Sequence, residues 1–358
     1  MRYIDAVRTQ GKSLRASRTA VTDRLRSLDL TPWRQRRLAL VGMGASSNAI
    51  SAALPGYWAT GLAAASWAGS EFGLAGPAAG AEAVIAVSQT GKSAEVYAAL
   101  RDTGCPRLVV TDVEDSPLAG LAEAVVPLSL LPDSNVRTIG YTGTIQALAL
   151  LRDAVAGRDR SDRAASADQT WEDAADGLEA LLPAAEELAE GLLPRLRGVT
   201  AFDVVGSGVH AGTALQGALL LREVCKLPAT GYETYQYLHG PIEAAEAGRV
   251  VVAIGGAREA KLAADLAAAG STVLLVETGV EIGGEAAVEA GIEAAPAGEA
   301  MSCGGPGIPA TFAVTATDPL AQAVLAILPL QTITWQLAED LALPDGEFRY
   351  HQDDTKVG

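Results

Sequence analysis

The sequence predicts an α/β protein made of two doubly wound parallel-sheet domains, the second an internal duplicate of the first, with a helical N-terminus and a C-terminal tail. Short apolar runs such as Ala83-Val84-Ile85-Ala86-Val87 alternate with helix-length segments, as parallel strands joined by crossover helices do. One design also appears twice. Leu38-Ala39-Leu40-Val41-Gly42-Met43-Gly44 and Phe202-Asp203-Val204-Val205-Gly206-Ser207-Gly208 each end an apolar strand in Gly-x-Gly with a helix behind it. The filling agrees, since 49% of the 358 residues are hydrophobic but only 5% aromatic, so Ala, Gly, Val and Leu must pack close layers.

In chain order, residues 1–34 form an N-terminal segment in which Ile4, Val7, Leu14, Val21, Leu25 and Leu28 fall at helical spacing. Gly11 is a possible break in this amphipathic helix, and its Arg-rich face reads as a solvated or subunit-contacting surface. The first domain, 35–157, takes strands at 37–41, 63–67, 83–87, 108–111 and 124–127. Its helices run from Ser47 to Tyr57, from Ala94, and from Thr144 to Ala156. A linker with a connecting helix occupies 158–198. Gly157 to Asp168 is charged and lacks apolar periodicity, and Thr170 to Gly191 is amphipathic. The second domain, 199–340, repeats the strand pattern at 200–205, 250–254 and 271–276 and closes on a helix from Leu320 to Leu337. Residues 341–358 form the tail.

Composition bounds the function. The formal net charge of -16 disfavours a nucleic-acid partner. Cys105, Cys225 and Cys303 have no paired spacing, which points to a reducing compartment and to neither a disulfide framework nor a zinc site. No uninterrupted apolar run reaches the roughly 18 residues of a membrane span, and the first residues have no apolar signal core. These features give the expectation of a cytoplasmic enzyme without metal or cofactor, acting on a small molecule.

The chemistry concentrates in Ser88-Gln89-Thr90-Gly91-Lys92-Ser93, between the 83–87 strand and the helix from Ala94. Ligands of open α/β sheets sit beyond the C-terminal strand ends, where helix N–H groups and hydroxyls make an anion cradle. Ser and Thr are also ordinary N-caps, so a merely capped helix is the competing reading of the same residues.

A set of motifs in one order then carries a family resemblance. Leu238-His239-Gly240-Pro241 follows Ala218-Leu219-Leu220-Leu221-Arg222-Glu223, and the Ser-Gln-Thr-Gly run, Ser70-Glu71-Phe72, Asp318-Pro319-Leu320 and a tail ending near Lys356 accompany it. From about Gly42 to Lys356 the chain resembles the tandem sugar isomerase (SIS) domain proteins, and within them the isomerase half of glucosamine-fructose-6-phosphate aminotransferase. The resemblance implies two SIS-type domains with the tail over the active site. It also implies a sugar-phosphate site formed by Ser46, Ser88, Gln89, Thr90 and Ser93 with help from Ser47, and a homodimer with a shared active site. The glutamine-hydrolysing part of such enzymes is expected to be absent.

Aldose–ketose interconversion moves one proton between adjacent carbons and needs an acid to open the ring. The resemblance implies that His239 assists ring opening and that Lys356 can form a Schiff base with the open sugar. It places a proton-carrying Glu three residues before the histidine. This chain has Gln236 there, and an amide cannot serve as that base. Glu233, one helical turn earlier, is the favoured replacement, and Glu223, 16 residues before His239, is the other candidate. Arg137 stands in for a family lysine as an anion contact. The expected activity is a sugar-phosphate or amino-sugar-phosphate isomerase or deaminase acting at C1/C2 of an opened hexose phosphate. The alternatives are a catalytically altered sugar-phosphate binder with a regulatory role, a fructosamine-phosphate deglycase, or an isomerase of a non-phosphate anionic sugar.

Overall fold

A computed structural model describes residues 1–157, 162–246, 248–279 and 300–357. The first sheet contains β1 (Leu38–Gly42), β2 (Ala64–Ala68), β3 (Ala83–Val87), β4 (Arg107–Thr111) and β5 (Ala124–Pro127), all parallel in the order β2-β1-β3-β4-β5. The central strands β1 and β3 are buried along their whole length, as strands covered on both faces must be, whereas the edge strand β2 is only partly covered. The intervening helices are α2 (Ala45–Ala59), α3 (Gly69–Ala75), α4 (Ala94–Asp102) and α5 (Ile139–Val155). Val41, Val84, Val96, Leu100 and Phe72 belong to one buried cluster between the sheet and its helices.

The second sheet repeats the plan. It holds β6 (Ala201–Gly206), β7 (Ala229–Glu233), β8 (Arg249–Gly255), β9 (Thr272–Gly279), β10 (Met301–Ser302) and β11 (Ala310–Thr315), in the order β10-β11-β9-β8-β6-β7. Only β10 is antiparallel, and it caps an edge. Without it the order is that of the first sheet, with β6 in the place of β1 and β8 in that of β3. The helices α7 (Val209–Glu223), α8 (Thr234–Leu238) and α9 (Ala257–Ala268) follow β6, β7 and β8. Tyr237 takes the place of Phe72 in the core. The two Gly-x-Gly turns match closely, because the helix-capping glycines Gly44 and Gly208 have φ 54 and ψ -129 against φ 57 and ψ -125.

Several local expectations change. The N-terminal helix α1 (Tyr3–Ser27) runs without a break at Gly11, since one glycine inside a long helix costs only about 1 kcal/mol. Its apolar stripe is buried at Ile4, Val7, Leu14, Val21 and Leu25. Its arginines are used within the chain: Arg15 and Arg18 pair with Glu172 at 2.5 and 3.2 Å, and Arg8 pairs with Glu186 at 2.8 Å. The linker is shorter than its composition suggests. Residues 158–161 lie outside the described residues, and 162–168 already belong to α6 (Asp162–Leu196). The closing helix divides at Ile327 into Pro319–Ala326 and Leu328–Asp340, because Pro329 has no N–H to continue the ladder. By length and composition Pro319–Asp340 could cross a membrane, but 89% of its apolar window is buried inside the protein.

Compactness groups the chain into two units, each drawn from separated segments. One unit is Lys12–Asp133, Arg137–Ala175 and Phe348–Gly358, and carries the first sheet; the other is Met1–Gly11, Ser134–Val136 and Asp176–Glu347, and carries the second. The tail therefore joins the first-sheet unit from Phe348 onward.

Candidate active site

In the first-sheet unit, the turns after β1 and β3 emerge side by side, because Val41 is paired with Ala86. This is the switch point of the sheet, where α2 and α4 depart after neighbouring strands. Ser46 and Ser47 lie half-buried in the first turn of α2. Ser88 is 3% exposed, and its Oγ lies 3.1 Å from Ser93 Oγ. Ser93 is the N-cap residue of α4, yet its hydroxyl makes no capping bond to that helix. The reading of the loop as an ordinary capped helix start therefore loses its main support. The hydroxyl faces Ser88 across the mouth of the loop.

The rest of the loop is held by its backbone. The Gly91 N–H donates to Ser88 O at 3.0 Å, and Gly91 O accepts from the Leu118 N–H at 3.1 Å. At φ +64, with Ser116 packed against it, Gly91 leaves no room for a Cβ, which would lie 1.9 Å from Ser116 Oγ. Thr90 is half-buried beside it. Gln89 turns its side-chain amide to the start of α5, where a Cβ on Gly140 would meet Gln89 Oε1 at 2.3 Å.

That helix start is already capped. Asp133 accepts from Thr138 Oγ1 at 3.0 Å and from the Gly140 N–H at 2.8 Å. Asp112, whose Oδ1 accepts the Leu130 N–H at 2.9 Å, is pushed above the usual carboxylate range by burial, with Leu130 and Arg137 pulling the other way. The half-buried Arg137 is thus close to an internal carboxylate. Sequence reading passed over Asp112 and Asp133. Asp133 stands five residues before the N-cap Thr138, outside the position a capping signal occupies, and only the fold brings it to the helix start.

The tail returns to this loop. Lys356 forms an antiparallel bridge with Ser93, and the Val357 N–H donates to Lys92 O at 2.9 Å. The Lys356 and Lys92 side chains are both exposed there. The structure thus gathers Ser46, Ser47, Ser88, Gln89, Thr90, Ser93, Arg137 and Lys356 within one compact unit.

Glu233, Gln236 and His239 belong to the second-sheet unit, at the C-terminal end of β7 and around α8. Glu233 is the N-cap of α8, and its Oε2 accepts the Gln236 N–H at 2.9 Å, so the favoured base is engaged in capping. Gln236 and His239 are exposed. Glu223, at the end of α7, is half-buried. After it comes Lys226, in a left-handed conformation at φ 58, whose Nζ donates to Glu223 O and to Glu347 O, at the root of the tail. His210 begins α7 at 7% exposure, and burial lowers its pKa to about 4. Glu259, 3% exposed, accepts Ser207 Oγ at 2.9 Å and Thr234 Oγ1 at 2.6 Å, a cluster that sequence reading missed. Among the described residues no three His, Cys, Asp or Glu side chains are gathered as metal ligands would be.

No protein-family model matches the chain. Among characterised proteins it is similar to the isomerizing glutamine–fructose-6-phosphate aminotransferase of Caulobacter vibrioides, 27% identical over 274 residues, which are 71% of this chain and 41% of that enzyme. The chain thus spans about two fifths of that relative's length. Among solved structures, the C-terminal domain of glucosamine-fructose-6-phosphate aminotransferase from Francisella tularensis superposes with a TM-score of 0.74 at 15% identity, covering 96% of this chain and 97% of that one. Glucosamine-6-phosphate deaminase from Thermotoga maritima superposes with a TM-score of 0.70 at 18% identity, covering 99% and 98%. At such identities the superpositions show a shared fold over nearly the whole length of both chains.

Proposed function

We propose that the chain is a tandem sugar isomerase (SIS) domain protein and, on that premise, an enzyme of a sugar phosphate or amino-sugar phosphate, working at C1/C2 of the opened ring. The observation that carries this reading is the hydroxyl pair Ser88–Ser93, which sits at a helix start at 3.1 Å and is not used to cap that helix. A phosphate there would take hydroxyl donors from Ser88, Ser93 and Thr90 and from Ser46 or Ser47 at the neighbouring turn, with the dipoles of α2 and α4 favouring its charge. Lys92 and Lys356 add positive charge at the rim, in a chain whose net charge of -16 would otherwise repel an anion.

His239, exposed just past the one-turn helix α8, is the acid that opens the ring, and its exposure suits a histidine offered to the site of a second copy in a homodimer. The proton on the carbon beside the carbonyl must pass to a base and return to the neighbouring carbon. Glu233 is held by its capping bond, so we assign the base to Glu223, whose backbone is fastened by Lys226 at the root of the tail. Lys356 engages the open carbonyl from the tail end docked on the loop.

The test is NMR of hexose and hexosamine 6-phosphates, aldo and keto forms, incubated with the protein in D2O. Deuterium is expected at C1 or C2 of one sugar, lost in Glu223→Gln and kept in Gln236→Ala. Saturable binding without exchange would favour the second reading, a sugar-phosphate sensor, for which Gln236 in the place of a family Glu is the motivating residue. Exchange lost in Glu233→Gln but kept in Glu223→Gln would return the base to Glu233.

A further inference from the structure

The duplicated fold lets the two switch points be compared residue by residue. By strand register, Gly42 corresponds to Gly206 and Val87 to Ile254. Gly44 and Gly208 have the same backbone geometry, so Ser46 in the first turn of α2 corresponds to His210 in the first turn of α7. The loop between β3 and α4 has six residues, whereas Gly256 alone separates β8 from α9. The hydroxyls of Ser88 and Ser93 thus have no counterparts; Gly255 and Gly256 stand in their places.

Counting from the helix starts, Val96 corresponds to Glu259, and from the ends of β2 and β7, Gly69 corresponds to Thr234. Each pair meets in its own unit. Gly69 packs on the backbone of Glu95 and Val96, and Thr234 Oγ1 donates to Glu259 Oε1 at 2.6 Å. Where the first half buries an apolar Val96 in its core, the second half buries a carboxylate at 3% exposure. That carboxylate turns to the strand ends. It accepts Ser207 Oγ at 2.9 Å, and a Cβ on Gly255 would lie 2.3 Å from its Oε2. It occupies the space beside the end of β8 with its own negative charge and uses two hydroxyl donors. His210, neutral at pH 7 because burial holds its pKa at about 4, supplies no compensating cation.

We infer that Glu259 is a resident carboxylate that closes the second switch point to anions, so that each chain takes phosphate at the first switch point alone. The stoichiometry of one rests on the function proposed above; the closure by Glu259 does not. A buried charge beside the strand ends excludes a phosphate by repulsion and by volume, and it already holds the donors a phosphate would use.

Equilibrium dialysis with radiolabelled inorganic phosphate tests this, with thermal unfolding as the check on folding. Glu259→Val places the first-half residue in the second half, and Glu259→Ala is the smaller companion. The wild type is expected to bind one phosphate per chain, weakened at least tenfold by Ser88→Ala. Either folded Glu259 variant is expected to bind one more, insensitive to Ser88→Ala. Wild-type protein without binding but a Glu259 variant with one site would sink the first-switch-point reading and leave the closure standing. Folded Glu259 variants that bind no more phosphate than the wild type, or a wild type with a second site insensitive to Ser88→Ala, would overturn the inference.

Discussion

Lowering the pH from 7 to 4 should remove about 3 kcal/mol of stability through His210 alone. Its side chain is 7% exposed, and Nδ1 has no hydrogen-bond partner among the described residues, so nothing offsets the loss of water around a charged imidazole. In the unfolded chain a histidine titrates near about 6.5, and in the fold burial lowers the value to about 4. Between those values the unfolded chain takes up a proton that the folded chain refuses. The contribution is therefore intact above the unfolded pKa and drains away as the pH falls to the folded one. Two and a half pH units at about 1.36 kcal/mol each give roughly 3 kcal/mol. Urea unfolding of the wild type and of His210→Ser, which copies Ser46 of the first half, should give curves at constant separation above pH 7. Toward pH 4 they should shift by about that amount at the wild type's expense, since every other titrating group is common to both. Parallel curves down to pH 4, or a folded-state His210 resonance titrating near the ordinary histidine value, would refute the reasoning.

Other perturbations follow from single contacts. Gly91→Ala combines a left-handed backbone with a Cβ 1.9 Å from Ser116 Oγ; left-handed strain of about 1–2 kcal/mol and overpacking of about 1–3 kcal/mol should lower thermal stability by some 2–5 kcal/mol and weaken phosphate binding. A loss below about 0.5 kcal/mol would mean that the turn does not need glycine. Gln10 and Gln331 exchange amide hydrogen bonds at 2.8 and 3.1 Å in a buried site; Gln331→Leu should cost about 1–3 kcal/mol by breaking both bonds, and adding Gln10→Leu should recover most of it, as a double-mutant cycle in urea would measure. Arg249 Nη1 lies 2.7 Å from Asp203, which is 1% exposed. Arg249→Met should cost about 3–5 kcal/mol, with partial recovery when Asp203→Asn is added, and additive losses would argue against a coupled pair.

Much of the fold could be read from the residues because parallel strands buried on both faces must be apolar throughout. The 38–41, 83–87, 202–205 and 250–254 runs have no other explanation of comparable weight. The duplication was equally plain in the two Gly-x-Gly turns. The early start of α6 was not, because 162–168 lack an apolar stripe; their alanines favour helix without announcing a buried face. In the candidate site, the serines after β3 were legible from their position at a strand end. That Glu233 caps α8 was not, since a carboxylate one turn before a histidine suits capping and catalysis alike. Glu259 escaped because a single Glu in a helix reads as a solvent-facing residue, and only the third dimension brings Ser207 and Thr234 to it.

The grouping of chain segments also bears on synthesis. The unit that carries the second sheet includes residues 1–11, which leave the ribosome more than 160 residues before the body of that unit begins at Asp176. The unit that carries the first sheet ends with Phe348–Gly358, which follows Ala175 only after the whole second sheet has been made. Each unit thus has a large part of the other translated between its own first and last segments. The first sheet can pair its strands early, but the loop that Lys356 and Val357 dock against remains uncovered until those two residues emerge.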